Sequence, residues 1–263
     1  MSSPKLCIFC GQQAGSREHI VGKWLLNDLG LYSVKTKLGF GYQQPTGGME
    51  EVAQKQPLGS FVTESVCQDC NNGWMSRLES EVKPLLSPLF AVTRPVNEAQ
   101  ILSGLFLKSH VITKWLLKTA CTFGEKMSCE VPQCIREQLY KGSLHPEILA
   151  DISFNDECGL YVGMSRTWKC YTGGKLDAMN VPGRSFRFVW QLRHCAMRCA
   201  FFPGCHKMMT RPRYPVRLYP RFRVPPDINI DGIMRKAYHY ATLQELEHDT
   251  IYAPKEEYPS NIP

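Results

Sequence analysis

The sequence predicts an α+β protein in two parts, residues 1–95 and residues 96–263. Three observations predict it. Two C-x-x-C pairs, Cys7/Cys10 and Cys67/Cys70, lie far apart within the first part. Directly after the second pair, apolar residues take up the period of an amphipathic helix. Beyond about residue 159, short runs rich in aromatics and β-formers alternate with glycine turns.

Composition narrows the class of protein. A chain of 263 residues with 43% hydrophobic content is ordinary for a packed globular protein and excludes a disordered tail. No apolar run reaches the roughly 18 residues of a membrane span, and "MSSPKLCIFC" lacks the basic and apolar regions of a signal peptide. The expectation is a soluble, cytoplasmic protein with no membrane partner. Twelve cysteines without an export signal read as metal ligands and buried thiols, not as a disulfide framework. A net charge of +7 favours an anionic partner.

The first element is "CIFC". A C-x-x-C turn lets two sulfurs converge on one ion about 2.3 Å away, and two such turns complete the tetrahedral shell of a structural Zn²⁺. Cys7, Cys10, Cys67 and Cys70 are therefore the candidate ligands, and the chain between them is an excursion that begins and ends at the metal. Within it, "SREHIVGKWLL" places Glu18 beside His19, with Ile20, Val21, Trp24, Leu25 and Leu26 as apolar packing. In a strand, neighbouring side chains point to opposite faces, so both reach one site only at a bend or a strand end. A solvated helix start capped by Ser16 is the alternative. Next, "KTKLGFGYQQPTGGME" reads as a hairpin or loop, with Lys35 and Lys37 as candidate phosphate contacts. After Cys70, Trp74, Leu78, Val82 and Leu85 make a helical stripe, and Pro84 and Pro88 are expected to mark its end.

In this order, C-x-x-C, then acid-His-Ile, then C-x-x-C-Asn and a helix, the chain resembles the HNH endonucleases of the His-Me finger, or ββα-metal, class. The closest pattern is the four-cysteine variant of phage Holliday-junction resolvases. The resemblance covers about the first third of the chain. It implies zinc on Cys7, Cys10, Cys67 and Cys70, His19 as general base, and a catalytic divalent metal, Mg²⁺ or Mn²⁺, on Glu18 and Asn71. The sequence departs from the family in three places. Glu18 stands where Asp is usual. The middle Asn, which orients the base, has no match in "SFVTESVC", leaving a backbone carbonyl or Thr63 for that role. The final His is absent, with Asn72 or Glu79 as stand-ins and Glu79 as a further candidate metal ligand.

The chemistry asks for the same residue types. A neutral imidazole takes a proton from water near neutral pH. A hard cation on one carboxylate and one amide oxygen keeps room for phosphate oxygens and offsets the charge of the transition state.

In the second part, "AQILSGLFLKSHVITKWLLKTACTF" reads as a buried helix, and "VPQCIREQLYKG" and "HPEILADI" as shorter ones. "GLYVGM", "TWKCYTG" and "SFRFVWQLRHCAMRCAFFPG" read as strands. Cys195, Cys199, Cys205 and His206 lack knuckle spacing and read as a buried row, not as a second zinc site. "HKMMTRPRYPVRLYPRFRV" carries Lys207, Arg211, Arg213, Arg217, Arg221 and Arg223 among aromatics with no acid, a pattern suited to phosphate contact and base stacking. The expected activity is metal-dependent hydrolysis of DNA, duplex or branched. A zinc-dependent nucleic-acid-binding module without catalysis is the alternative, as is a phage-defence nuclease gated by its second domain. The oligomeric state stays open, a homodimer included.

Overall fold

A computed structural model describes residues 4–43, 49–91, 108–165, 167–172, 175–180, 185–201, 209–210, 216–219 and 250–252. It is a mixture of helices and mostly antiparallel strands, compatible with the α+β class. The chain divides into two compact units, Met1–Val96 with Lys114–Leu144, and Asn97–Thr113 with His145–Pro263. Residues 114–144 thus group with the cysteine-bearing segment, because their apolar faces complete its core. No described helix is long and apolar enough to cross a membrane.

In the first unit, strand β1 (Ser16–His19) pairs antiparallel with β4 (Val62–Val66), with Glu18 opposite Thr63 and His19 opposite Val62. The register shifts between Ser16 and Glu18. Between these strands the chain forms helix α1 (Lys23–Asp28), the hairpin β2 (Lys35–Gln43) and β3 (Met49–Pro57), and a 3₁₀ turn at Leu58–Ser60. Helix α1 is short, and tertiary burial of Leu25 and Leu26 holds it where six residues alone would not stay helical.

After β4, helix α2 (Gln68–Cys70) runs through a π-helical turn (Asn71–Met75), broken at Gly73, into α3 (Ser76–Ala91). Here the expected helix end is displaced. Pro84 and Pro88 lie inside α3, four residues apart on its exposed face. A proline inside a helix costs about 3 kcal/mol. The buried stripe on the other side, Leu78, Val82, Leu86, Leu89 and Phe90, outweighs that cost. The stripe also passes through Leu86, whereas Leu85 is only half-buried.

Helix α4 (Ser109–Lys126) and α5 (Gln133–Tyr140) follow. Ile112 and Leu116 are buried as their helical spacing predicts, and Trp115, Ala120 and Cys121 are buried with them.

In the second unit, β5 (Ile148–Ser165) and β8 (Phe186–Phe201) form a long antiparallel pair, with β10 (Val216–Tyr219) on the other edge of β5. A further sheet orders β7 (Lys175–Asn180), β6 (Thr167–Thr172), β11 (Thr250–Tyr252) and β9 (Met209–Thr210). The segment "HPEILADI", expected as a helix, enters β5 instead. Neighbours on both edges satisfy its backbone, and Ile148, Leu149, Ala150 and Ile152 are all buried, so no amphipathic helical face is left. Cys195 and Cys199 are buried on β8, whereas Cys205 and His206 lie outside the described residues.

Candidate metal centre and His19 site

The two C-x-x-C turns meet. The sulfur atoms of Cys7, Cys10, Cys67 and Cys70 lie within 4.8 Å of one another, with Cys10 Sγ 3.5 Å from Cys67 Sγ. Such a cluster could hold a metal ion such as zinc. Backbone groups around the sulfurs fit the charged form of the ligands. The Cys70 N–H donates to Cys67 Sγ at 3.3 Å. Burial tends to raise the Cys7 pKa, but N–H groups of Cys10, Phe9 and Cys67 outweigh it and lower the value. The N-terminal turn is tied to β4 through Ile8 N–H to Ser65 O (3.0 Å) and Gly15 N–H to Val66 O (3.1 Å).

Trp74 clasps the two turns. Its ring meets Phe9 edge-on, with centroids 5.0 Å apart. The indole N–H is buried with no oxygen or nitrogen acceptor and sits beside the Cys70 sulfur, where it opposes the upward push that burial gives this thiol. A metal-bound thiolate is the acceptor that this donor lacks, so the donor set fits a thiolate-ligated ion. Among the described residues no other group of three His, Cys, Asp or Glu ligand atoms comes together.

His19 ends β1. Along that strand exposure alternates: Arg17 is exposed, Glu18 buried and His19 half-buried. The alternation separates the two members of the acid-His pair. The Gly59 backbone acts on the His19 imidazole, favouring its protonated form. The imidazole pKa is lowered chiefly by burial; Glu18 opposes this, and Lys23 and Arg17 add to it. The Tyr32 ring lies 6.0 Å from the imidazole, and Lys23 Nζ stands 5.8 Å from the centre of that ring. A side chain on Gly59 would start 2.6 Å from the Tyr32 ring, so only glycine brings this backbone to the site. Of the two groups expected to replace the middle Asn, the backbone at Gly59 is the one that acts on His19. Thr63 instead bonds Ser65 Oγ at 2.6 Å.

On the inner side, Glu18 meets a lysine a hundred positions away. Lys118 Nζ is fully buried, 2.8 Å from Glu18 Oε1 and 2.7 Å from Glu79 Oε1. Burial alone would lower the Lys118 pKa; Glu18 and then Glu79 outweigh it and hold the ammonium charged. Glu79 also accepts from Trp115 Nε1 at 2.8 Å and from Trp24 Nε1. Burial tends to raise its pKa, but Lys118 and the two indoles lower it. Gly22 permits this packing, since a Cβ there would lie 2.6 Å from Glu79 Oε2 and 2.7 Å from Trp24 Nε1.

Asn71 follows the last cysteine, and its backbone N–H bonds Cys67 O at 3.1 Å. Its side-chain Nδ2 donates to Ser16 Oγ at 2.7 Å and more weakly to Arg17 O at 3.4 Å. Asn72 is exposed. Of the residues expected to hold a catalytic divalent metal, Glu18 and Glu79 are engaged by Lys118, while Asn71 uses its amide nitrogen on β1. A divalent ion on Glu18 does not fit this arrangement.

Among the expected nucleic-acid contacts, Lys35 is exposed at the start of β2, Lys37 lies in β2 opposite Lys55, and Arg217 lies in β10 opposite Asp151. Lys207, Arg211, Arg213, Arg221 and Arg223 lie outside the described residues.

Sequence reasoning missed Lys118 and Gly59. For Lys118 one signal was present, a lysine placed in sequence among Trp115, Leu116, Leu117, Ala120 and Cys121. For Gly59 there was none, since its role belongs to its backbone. Comparison of the chain with family models, with curated proteins and with solved structures finds no match.

Proposed function

We propose that the first unit is a phosphodiester hydrolase acting on DNA, with His19 as general base, as the resemblance to HNH endonucleases implies. The observation that carries this reading is the half-buried His19 imidazole at the end of β1, beside the Tyr32 ring, whose pKa burial lowers so that it stays a neutral base near pH 7. Further support comes from the strand–strand–helix order of β1, β4 and α3 around the four cysteines.

In the proposed step the unprotonated nitrogen of His19 takes a proton from water as the water oxygen bonds to phosphorus. The bond from phosphorus to the leaving sugar oxygen breaks, and that oxygen takes a proton from solvent. The net reaction adds water across one phosphodiester bond, giving a phosphomonoester and an alcohol. Zinc on the four cysteines holds β4 and the start of α3 in place and takes no part in the reaction. Lys118 holds the carboxylate that would otherwise bind Mg²⁺ or Mn²⁺.

The test is cleavage of plasmid and of branched, linear and single-stranded DNA by wild type and His19→Ala. Loss of about 10²-fold or more, with zinc content unchanged, is the expected result. Equal cleavage by the variant places the base elsewhere. The ion triad of Glu18, Lys118 and Glu79 favours a second reading, a module that binds DNA without cutting it, and absence of cleavage together with retained DNA binding would select that reading.

A further inference from the structure

We propose that Lys118 is the resident cation of the Glu18–Glu79 pair, and that phosphate at His19 is held by the side-chain cations Lys23 and Arg17 in place of a divalent metal on Glu18. The second half rests on the hydrolase reading above; the first half does not.

Lys118 occupies one oxygen of each carboxylate. A divalent ion needs carboxylate oxygens it can approach to about 2.1 Å, with the remaining positions filled by water or substrate. Glu79 accepts from three donors, Lys118 Nζ, Trp115 Nε1 and Trp24 Nε1. Glu18 gives Oε1 to the same ammonium, whose side chain is 0% exposed. An ion entering here would have to expel a buried ammonium that already makes two short bonds, and would strand it without a partner. The packing is committed to the ammonium: Gly22 leaves no room for a Cβ between Trp24 and Glu79.

A phosphodiester transition state still needs positive charge beside it. Side chains of β1 and of the start of α1 offer it. Arg17 and Lys23 are exposed, and both act electrostatically on His19. Lys23 also stands over the Tyr32 ring that flanks the imidazole. Both cations are open to a phosphate in solvent, whereas Lys118 is fully buried.

The experiment has two arms on the zinc-loaded full chain. In the first, Mn²⁺ is titrated into wild type, Glu18→Gln and Lys118→Met, with free Mn²⁺ read by electron paramagnetic resonance. The expectation is no difference between wild type and Glu18→Gln, and one new site in Lys118→Met that the double variant Lys118→Met/Glu18→Gln loses. One Mn²⁺ on wild type that Glu18→Gln lacks overturns the proposal, as does a folded Lys118→Met with no new site. Where Lys118→Met does not fold, the first comparison decides alone.

In the second arm, DNA cleavage is followed in buffer freed of other divalent ions, with and without added Mg²⁺. The rates are expected to agree within about twofold, against the many-fold dependence of a metal-generated nucleophile. Lys23→Ala is expected to slow cleavage about tenfold or more and Lys23→Arg to restore most of it, since each interaction made only in the transition state is worth at least that factor. A rate that collapses without Mg²⁺, or one indifferent to Lys23→Ala, overturns the second half. No cleavage under either condition sinks the hydrolase reading, and the Mn²⁺ arm still decides the place of Lys118.

Discussion

In the first unit one ammonium, Lys118, faces two carboxylates, Glu18 and Glu79; in the second, the guanidinium of Arg198 pairs with Asp151. Asp151 and Arg198 are direct partners in the β5–β8 register, so sheet pairing alone brings them together, and Arg198 Nε donates to Asp151 Oδ2 at 3.0 Å. Arg217 of β10 stands opposite Asp151 on the other edge of the strand. The Lys118 cluster carries one negative charge in excess, which the sheet does nothing to relieve. Two indole N–H groups and partial exposure of its carboxylates, 12% for Glu18 and 17% for Glu79, compensate instead. The lesson is that sheet register alone can bring buried opposite charges together, whereas a cluster assembled from separate elements needs a built environment, and such environments gather at sites of chemistry.

The largest effect expected from breaking this contrast comes from the metal. Chelation, or Cys70→Ser, should unfold the segments held by the cysteine cluster, because the binding free energy of a structural zinc, about 10–16 kcal/mol in small zinc domains, is folding free energy. Hydrogen exchange is the measurement: amides of β1, β4 and the start of α3 should lose protection while those of β5 and β8 keep it. One zinc per chain in the purified protein, and none in Cys70→Ser, is the accompanying expectation by elemental analysis.

Next come the ion clusters themselves. Removing one partner of a buried ion pair costs about 3–5 kcal/mol. Lys118→Met leaves two carboxylates facing each other and should fall at the upper end of that range. Arg198→Met leaves one and should fall at the lower end. Urea unfolding of the zinc-loaded variants gives both values, and equal costs would mean that the excess charge is dissipated by solvent.

A smaller change sharpens the same point. Gly22→Ala adds one methyl group against Glu79 Oε2 and Trp24 Nε1 and should cost about 1–3 kcal/mol, the range of an overpacked core. Its backbone, at φ −50° and ψ 129°, suits alanine, so the cost reports contact alone. Smallest is the surface pair of Lys83 with Asp28 at 3.6 Å, both partly exposed. Lys83→Ala should change stability by less than about 1 kcal/mol, and the gap from Lys118→Met measures what burial adds to a lysine–carboxylate contact.

Much of the first unit was legible because its signals are local. C-x-x-C spacing is a property of one turn, and two such turns in one chain make a tetrahedral thiolate set the economical outcome. The short helix at Gln133–Tyr140 and the strands β6 and β8 followed from periodicity and turn residues. Two expectations failed where tertiary packing overrode a local rule. Pro84 and Pro88 read as a helix end, yet they lie on the exposed side of a helix whose other side is buried. "HPEILADI" reads as a helix in isolation, yet it becomes strand where partners on both edges take its backbone hydrogen bonds.

By itself the sequence determined the four cysteines, the acid-His pair and the amide after Cys70, since each is an identity at a fixed separation along the chain. What those groups face was decided only by the tertiary structure. Strand alternation turns Glu18 inward and His19 outward, a one-residue difference that no composition records. The inward carboxylate then meets Lys118, brought from 100 positions away by the packing of α4, and the outward imidazole meets the Gly59 backbone, a group that every residue carries. Partners of this kind leave no mark in the sequence because their chemistry is either common or remote, and only the folded chain selects one lysine and one backbone group from the many available.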